Sequence, residues 1–199
     1  LRLSERMMKG TVSIRVQKDM YYPSEMEFDI SGDMKRYTAT LTLSPQFGTV
    51  TCLCKDRDAE IWIDNRMVGT GTWTGVLSSH SSHFLEVRKK GHLSQSINFE
   101  VVEGESITKV IDAPEPLYGT IEVTSVPSGA TVRLDGEIVG VTPFILNNVL
   151  AVEHHIELSK EGYEHFSSTV TVNHNQKLSQ SYTMTKNDEG TSEIYKEYS

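Results

Sequence analysis

Slid against itself by 71 residues, the chain aligns without a gap over a long span. Ala59-Glu60-Ile61-Trp62-Ile63-Asp64-Asn65-Arg66-Met67-Val68-Gly69 falls on Ala130-Thr131-Val132-Arg133-Leu134-Asp135-Gly136-Glu137-Ile138-Val139-Gly140. Phe47-Gly48-Thr49-Val50 falls on Tyr118-Gly119-Thr120-Ile121, and Phe84 to Gly91 falls on His155 to Gly162. Self-similarity at one fixed period restricts the fold to a small unit that recurs. Its most informative stretch is Pro127 to Pro143. There Asp135-Gly136 separates two short alternating apolar runs, a β-hairpin signal, because a two-residue type I′ loop needs φ > 0 at both central positions. Gly140 and Thr142-Pro143 then stop the second strand and redirect the chain.

The offset divides the chain into modules at 47–117 and 118–185, with a polar tail at 186–199. It also runs backwards. Met26-Glu27-Phe28-Asp29-Ile30 falls on Ile97-Asn98-Phe99-Glu100-Val101, and Ile14 to Lys18 falls on Leu85 to Lys89. Residues 1–46 therefore read as the back half of a third module without its front hairpin; an unrelated β-rich segment is the other reading. Alternation predicts strands over 11–17, 25–30 and 37–43, over 48–54, 59–63, 66–68, 83–88, 95–102 and 106–112, and over 119–126, 130–134, 137–139, 154–159, 167–173 and 177–184. Gly75 to Ser82 reads as a loop and Asn147–Ala151 as one helical turn at most. Short junctions, one of them Ala113-Pro114-Glu115-Pro116, predict a semi-rigid rod of all-β modules. A unit of this length buries only ~60% of its unfolded surface, so neighbours are expected to support one another.

The formal net charge of −8 argues against nucleic acid as a partner, since phosphate binding is driven by Lys and Arg. No run of 18 apolar residues exists to span a membrane. Residue 1 is Leu, and the expected export signal lies outside this sequence. Cys52 and Cys54 are two apart on a strand, with Cα atoms ~6.5–7 Å apart and parallel Cβ vectors. That geometry opposes a disulfide and predicts ordinary strand residues.

These residues resemble the PEGA domain family. The motif stands as Pro127-Ser128-Gly129-Ala130, followed by Asp135-Gly136, Gly140, Thr142-Pro143 and Lys160-Glu161-Gly162-Tyr163. The earlier module keeps Asp64 and Gly69 but has Asp56-Arg57-Asp58-Ala59 for the motif and Gly71-Thr72 for Thr-Pro. The resemblance implies small β-sandwiches of transthyretin- or immunoglobulin-like type and an extracytoplasmic place, in the periplasm or at the cell surface, as a secreted protein or lipoprotein. It implies a tandem array in the manner of bacterial, Bacteroides-like envelope proteins, and no catalytic residues or cofactor. The expected partners are other envelope proteins, or surface glycans and peptidoglycan.

Seven histidines raise a metal hypothesis. His80 and His83 read as loop residues and His154-His155 as neighbours on opposite faces of a strand, so no ligand set with metal spacing emerges. Ser, His and Asp are abundant, but no nucleophile elbow is present. Gly69-Thr70-Gly71 opens no helix and is not a phosphate loop. Trp62 is the candidate binding residue. Ile61 and Ile63 take the core face, which turns Trp62 outward as a contact surface for a partner module or a stacking platform for a sugar. Trp73 aligns with Phe144 and is expected in the core, and Tyr21, His92 and Tyr163 are expected at a sandwich rim. The expected function is a non-enzymatic scaffold or adhesion segment. The alternatives are a carbohydrate- or cell-wall-binding module, or an accessory to a catalytic domain outside this chain.

Overall fold

The computed structural model describes residues 10–30 and 38–187. All regular elements among them are strands. In chain order these are β1 (Gly10–Val16), β2 (Ser24–Ile30), β3 (Phe47–Cys54), β4 (Glu60–Ile63), β5 (Arg66–Thr70), β6 (Thr72–Ser78), β7 (His83–Arg88), β8 (His92–Leu93), β9 (Gln95–Phe99) and β10 (Ser106–Ile111). Then come β11 (Glu115–Pro116), β12 (Tyr118–Val126), β13 (Thr131–Leu134), β14 (Glu137–Val141), β15 (Phe144–Leu150), β16 (Glu153–Ser159), β17 (Phe166–Thr171) and β18 (Lys177–Thr183). The described residues fall into two compact units. One comprises those up to Arg88 with Ser94–Pro114, the other Lys89–Leu93 with those from Glu115 onward.

In the first unit β10-β3-β6 continues through β5 into β4-β7-β9, joined by the single pair Thr70–Thr72. Alternation turns Val50 and Cys52 of β3 toward Ile61 and Ile63 of β4 and Leu85 and Val87 of β7, and these form one buried core. In the second unit β15-β12-β18 and β14-β13-β16-β17 are separate sheets. Ile121 and Val123 from one meet Val132, Ile156 and Leu158 from the other, which makes a β-sandwich. Pro143 follows β14 and lacks an N–H, where Gly71 leads β5 straight into β6.

The pairings repeat at the 71-residue offset. His83 opposes Phe99 in β7–β9, His154 opposes Val170 in β16–β17, and Val12 opposes Phe28 in β1–β2. Glu60 opposes Arg88 as Thr131 opposes Ser159. Ser106 lies beside Thr49 in parallel β10–β3, as Lys177 lies beside Thr120 in β18–β12. Even the bulge between Ile61 and Trp62 recurs between Val132 and Arg133.

Three expectations fail. Thr38 to Leu43 forms no strand. Its counterparts β10 and β18 pair with β3 and β12, whereas among the described residues no strand pairs with 38–43. Thr72–Ser78 and Phe144–Leu150 are strands rather than a loop and a helical turn. Their Gly and Asn are weak strand formers, but pairing with β3 and β12 overrides propensity. Of the tail, Lys186 bridges Tyr163, and 188–199 lie outside the described residues.

Candidate functional site

The front hairpin of each unit turns as its sequence demands. Asp64 and Asn65 have φ of 49° and 66°, and Asp135 and Gly136 have 52° and 87°. The aspartates do more than turn. Asp135 Oδ1 accepts the His155 N–H at 2.8 Å, and Oδ2 meets His154 Nδ1 at 2.6 Å. His154 Nε2 meets the Leu150 carbonyl at 2.8 Å. The first unit builds the same lock: Asp64 Oδ1 accepts the Phe84 N–H at 2.9 Å, Oδ2 meets His83 Nδ1 at 2.7 Å, and His83 Nε2 meets the Ser78 carbonyl at 2.8 Å. His83 and His154 are only 5% and 8% exposed. His83 is therefore a buried residue that opens the strand predicted over 83–88, not a loop residue. The missed signal was the 71-residue coincidence of both His and both Asp.

Electrostatics agrees with this geometry. Burial pushes the His83 imidazole down, but Asp64 and the Ser78 carbonyl outweigh it and leave its pKa raised. Burial pushes Asp64 up, yet the Phe84 N–H and His83 hold it below the ordinary carboxylate value. Asp135 is lowered likewise, against burial, by His154 and the His155 N–H.

The remaining motif residues also hold the backbone. Thr142 is buried; its Oγ1 accepts the Ala130 N–H at 3.0 Å and lies 2.5 Å from Ser125 Oγ. Ser125 in turn donates to the Pro127 carbonyl at 2.7 Å. The Gly129 N–H donates to the Thr142 carbonyl at 2.8 Å, with Gly129 at φ 82°. Pro127 and Pro143, both cis, flank this clasp. Thr142→Val is expected to cost about 1–2 kcal/mol, because a buried N–H loses its acceptor, as read from chemical denaturation. Gly140 leaves room for the Phe144 ring, which an added Cβ would meet at 2.3 Å. Gly69 sits against Trp73, whose ring packs on the first core. Gly162 turns at φ 77°, the Tyr163 N–H closes on the Lys160 carbonyl at 3.1 Å, and the Tyr163 ring packs on the second core. Tyr21 and His92 close the same turn onto Lys18 and Lys89, each at 3.1 Å.

Trp62 is half-buried on the outer side of β4. The Arg88 guanidinium lies 4.2 Å from its ring centroid, and the Trp62 Nε1–H donates to Glu60 Oε2 at 2.9 Å. Arg88 also pairs with Glu86 at 2.5 Å. One ring face is thus already stacked on a cation. Cys52 and Cys54 are free thiols, and burial pushes Cys52 up to about 11. Among the described residues no three His, Cys, Asp or Glu converge on a metal position, and no helix is long and apolar enough to cross a membrane.

No curated protein matches the chain. Among solved structures, a Streptococcal ancillary pilin is similar at 11% identity and a TM-score of 0.35, covering 92% of this chain and 76% of its own. The minor pilin GBS52 of Streptococcus agalactiae has 9% identity and a TM-score of 0.33, over 70% of this chain and 96% of its own. A leucine-rich repeat protein of Bacteroides thetaiotaomicron has 11% identity and a TM-score of 0.25, over 70% of this chain and 27% of its own. Residues 118–188, which contain the sandwich of β12 to β18 with its Asp–His lock and Thr142 clasp, match the PEGA domain family.

Proposed function

We propose that this chain is a non-enzymatic, extracytoplasmic scaffold or adhesion segment of a bacterial envelope protein, built from PEGA-like modules at a 71-residue spacing. The observation that carries the reading is where the motif side chains go. Asp135, Thr142 and Tyr163 are spent on turns, clasps and packing, and Gly140 leaves room for the Phe144 ring. The PEGA match covers the second module, and the repeated registers support extending the plan to 47–117 and to 10–46. In each case the turn carbonyl also receives an N–H from further along: Gln46 on Met20, Leu117 on Gly91 and Asn187 on Gly162, at 2.7, 2.9 and 2.9 Å. The segment's partners would be other envelope proteins.

The second reading is a carbohydrate- or cell-wall-binding module that uses Trp62, favoured by the outward aromatic. A sugar on the face occupied by Arg88 would have to displace the guanidinium. A glycan and peptidoglycan-fragment array probed with wild type and Trp62→Ala separates the two. The scaffold reading expects no binding that Trp62→Ala changes. Binding by wild type that Trp62→Ala abolishes would replace it with the lectin-like one.

A further inference from the structure

We propose that a polar cleft in the second unit binds the carboxylate group of a small ligand. Two segments singled out by the sequence, around Gly129 and around Lys160 to Tyr163, converge there on an open space of about 590 Å³. Thr131, Ser159 and His165 complete its lining. Thr131 and Ser159 are directly paired across β13 and β16, which places their Cβ atoms ~4.5–5.5 Å apart on one face. Neither hydroxyl has a protein hydrogen-bond partner among the described residues. The Lys160 ammonium arches over Gly129, reaches its carbonyl only at 3.4 Å, and forms no ion pair with a carboxylate among those residues. One cation, with a single long hydrogen bond to the Gly129 carbonyl, and two hydroxyl donors thus face a common space.

The first unit shows that this openness is not a necessity of the fold. Its counterpart positions are Glu60 and Arg88, paired in the same register. Both carry long charged side chains committed to Trp62, one as acceptor for its Nε1–H and one stacked on its ring. Small hydroxyl residues in the second unit leave the space vacant of side chain. An ammonium flanked by hydroxyls is the donor set that a carboxylate's two acceptor oxygens satisfy through charge-assisted bonds. The carboxylate of Glu161 in the lining opposes an anion, and His165 lies 4.0 Å from Glu157.

A carboxylate of this kind belongs to an acidic sugar or to a peptide. Titration of the full chain by amide-resolved NMR with glucuronic acid, trialanine and glucose distinguishes them. The expected result is saturable shifts at Gly129, Thr131, Ser159 and Lys160 with one or both acids, at millimolar Kd, and none with glucose. Lys160→Met is expected to weaken binding at least about tenfold. Glu161→Gln is expected to tighten it, and added salt to weaken it. Grafting the first unit's pair as Thr131→Glu with Ser159→Arg is expected to abolish binding while the spectrum stays dispersed. Shifts with the sugar acid alone, or with the peptide alone, assign the source. No shifts with either acid, equal shifts with glucose, or shifts that survive both Lys160→Met and the graft would overturn the proposal. The scaffold reading would be untouched by that failure.

Discussion

Gly119→Ala is expected to destabilise the second unit by about 3 kcal/mol, at the upper end of the cost of overpacking. An added Cβ would stand 2.5 Å from the Asn173 carbonyl oxygen, 2.6 Å from Val172 Cγ1 and 2.9 Å from the Gln176 carbonyl oxygen. Two of the three obstacles are backbone and cannot rotate away. The Gln176 carbonyl also accepts the Thr120 N–H at 2.9 Å, at the start of the parallel β12–β18 ladder, so a shift there unpicks the pairing. Gly48 meets the same obstruction from Val101, Val102 and Glu105, and Gly48→Ala should behave alike in the first unit. Gly136→Ala is the control: nothing lies within 4 Å, and only its φ of 87° opposes a side chain. That strain costs about 1 kcal/mol. Thermal melts read the difference, since 1 kcal/mol moves Tm by about 4–8 °C in a unit of this size. A Gly119→Ala melt that matches that of Gly136→Ala would show that the β17–β18 connection yields, and the clash argument would fail.

The first unit is expected to lose stability as the solution becomes alkaline, because His83 lies between two acceptors. A ring placed between a carboxylate and a carbonyl satisfies both only when each nitrogen carries a hydrogen. The folded pKa of His83 is raised above the ordinary value of 6.5. Its contribution is therefore complete below that value and is lost as pH rises through the folded pKa. The Asp64 pKa is lowered below 3.8, so its contribution is present above that value and is lost as pH falls through the folded pKa. Stability should plateau between these two ordinary values and decline on either side. Both tryptophans, Trp62 and Trp73, belong to the first unit, so Trp fluorescence follows it during urea titration. His83→Leu should cost about 2–3 kcal/mol on the plateau, because it strands Asp64 and the Ser78 carbonyl, with the ion-pair part reduced by the half-exposure of Asp64. It should also flatten the alkaline limb. A variant that keeps that limb would assign the pH dependence to another group.

Much of this protein was legible before folding was considered. The 71-residue period, the Asp-Gly and Asp-Asn turns, and the inward Val132, Ile61 and Ile63 depend on φ preference and on alternation, which neighbouring residues specify by themselves. The outward turn of Trp62 follows from the same period of two. Long-range pairing decided the rest. Thr72–Ser78, with its Gly75 pressed against Trp73, became a strand because β3 offers it a ladder. Thr38 to Leu43, a cleaner alternation, did not: among the described residues no strand pairs with it. His83 and His154 appeared as scattered polar residues until hairpin and strand closed, and only then did burial and an aspartate 19 residues away make each a fastening. A backbone hydrogen bond in a sheet joins residues that sequence proximity does not relate, so the faces of these strands were set locally and their partners by the tertiary structure.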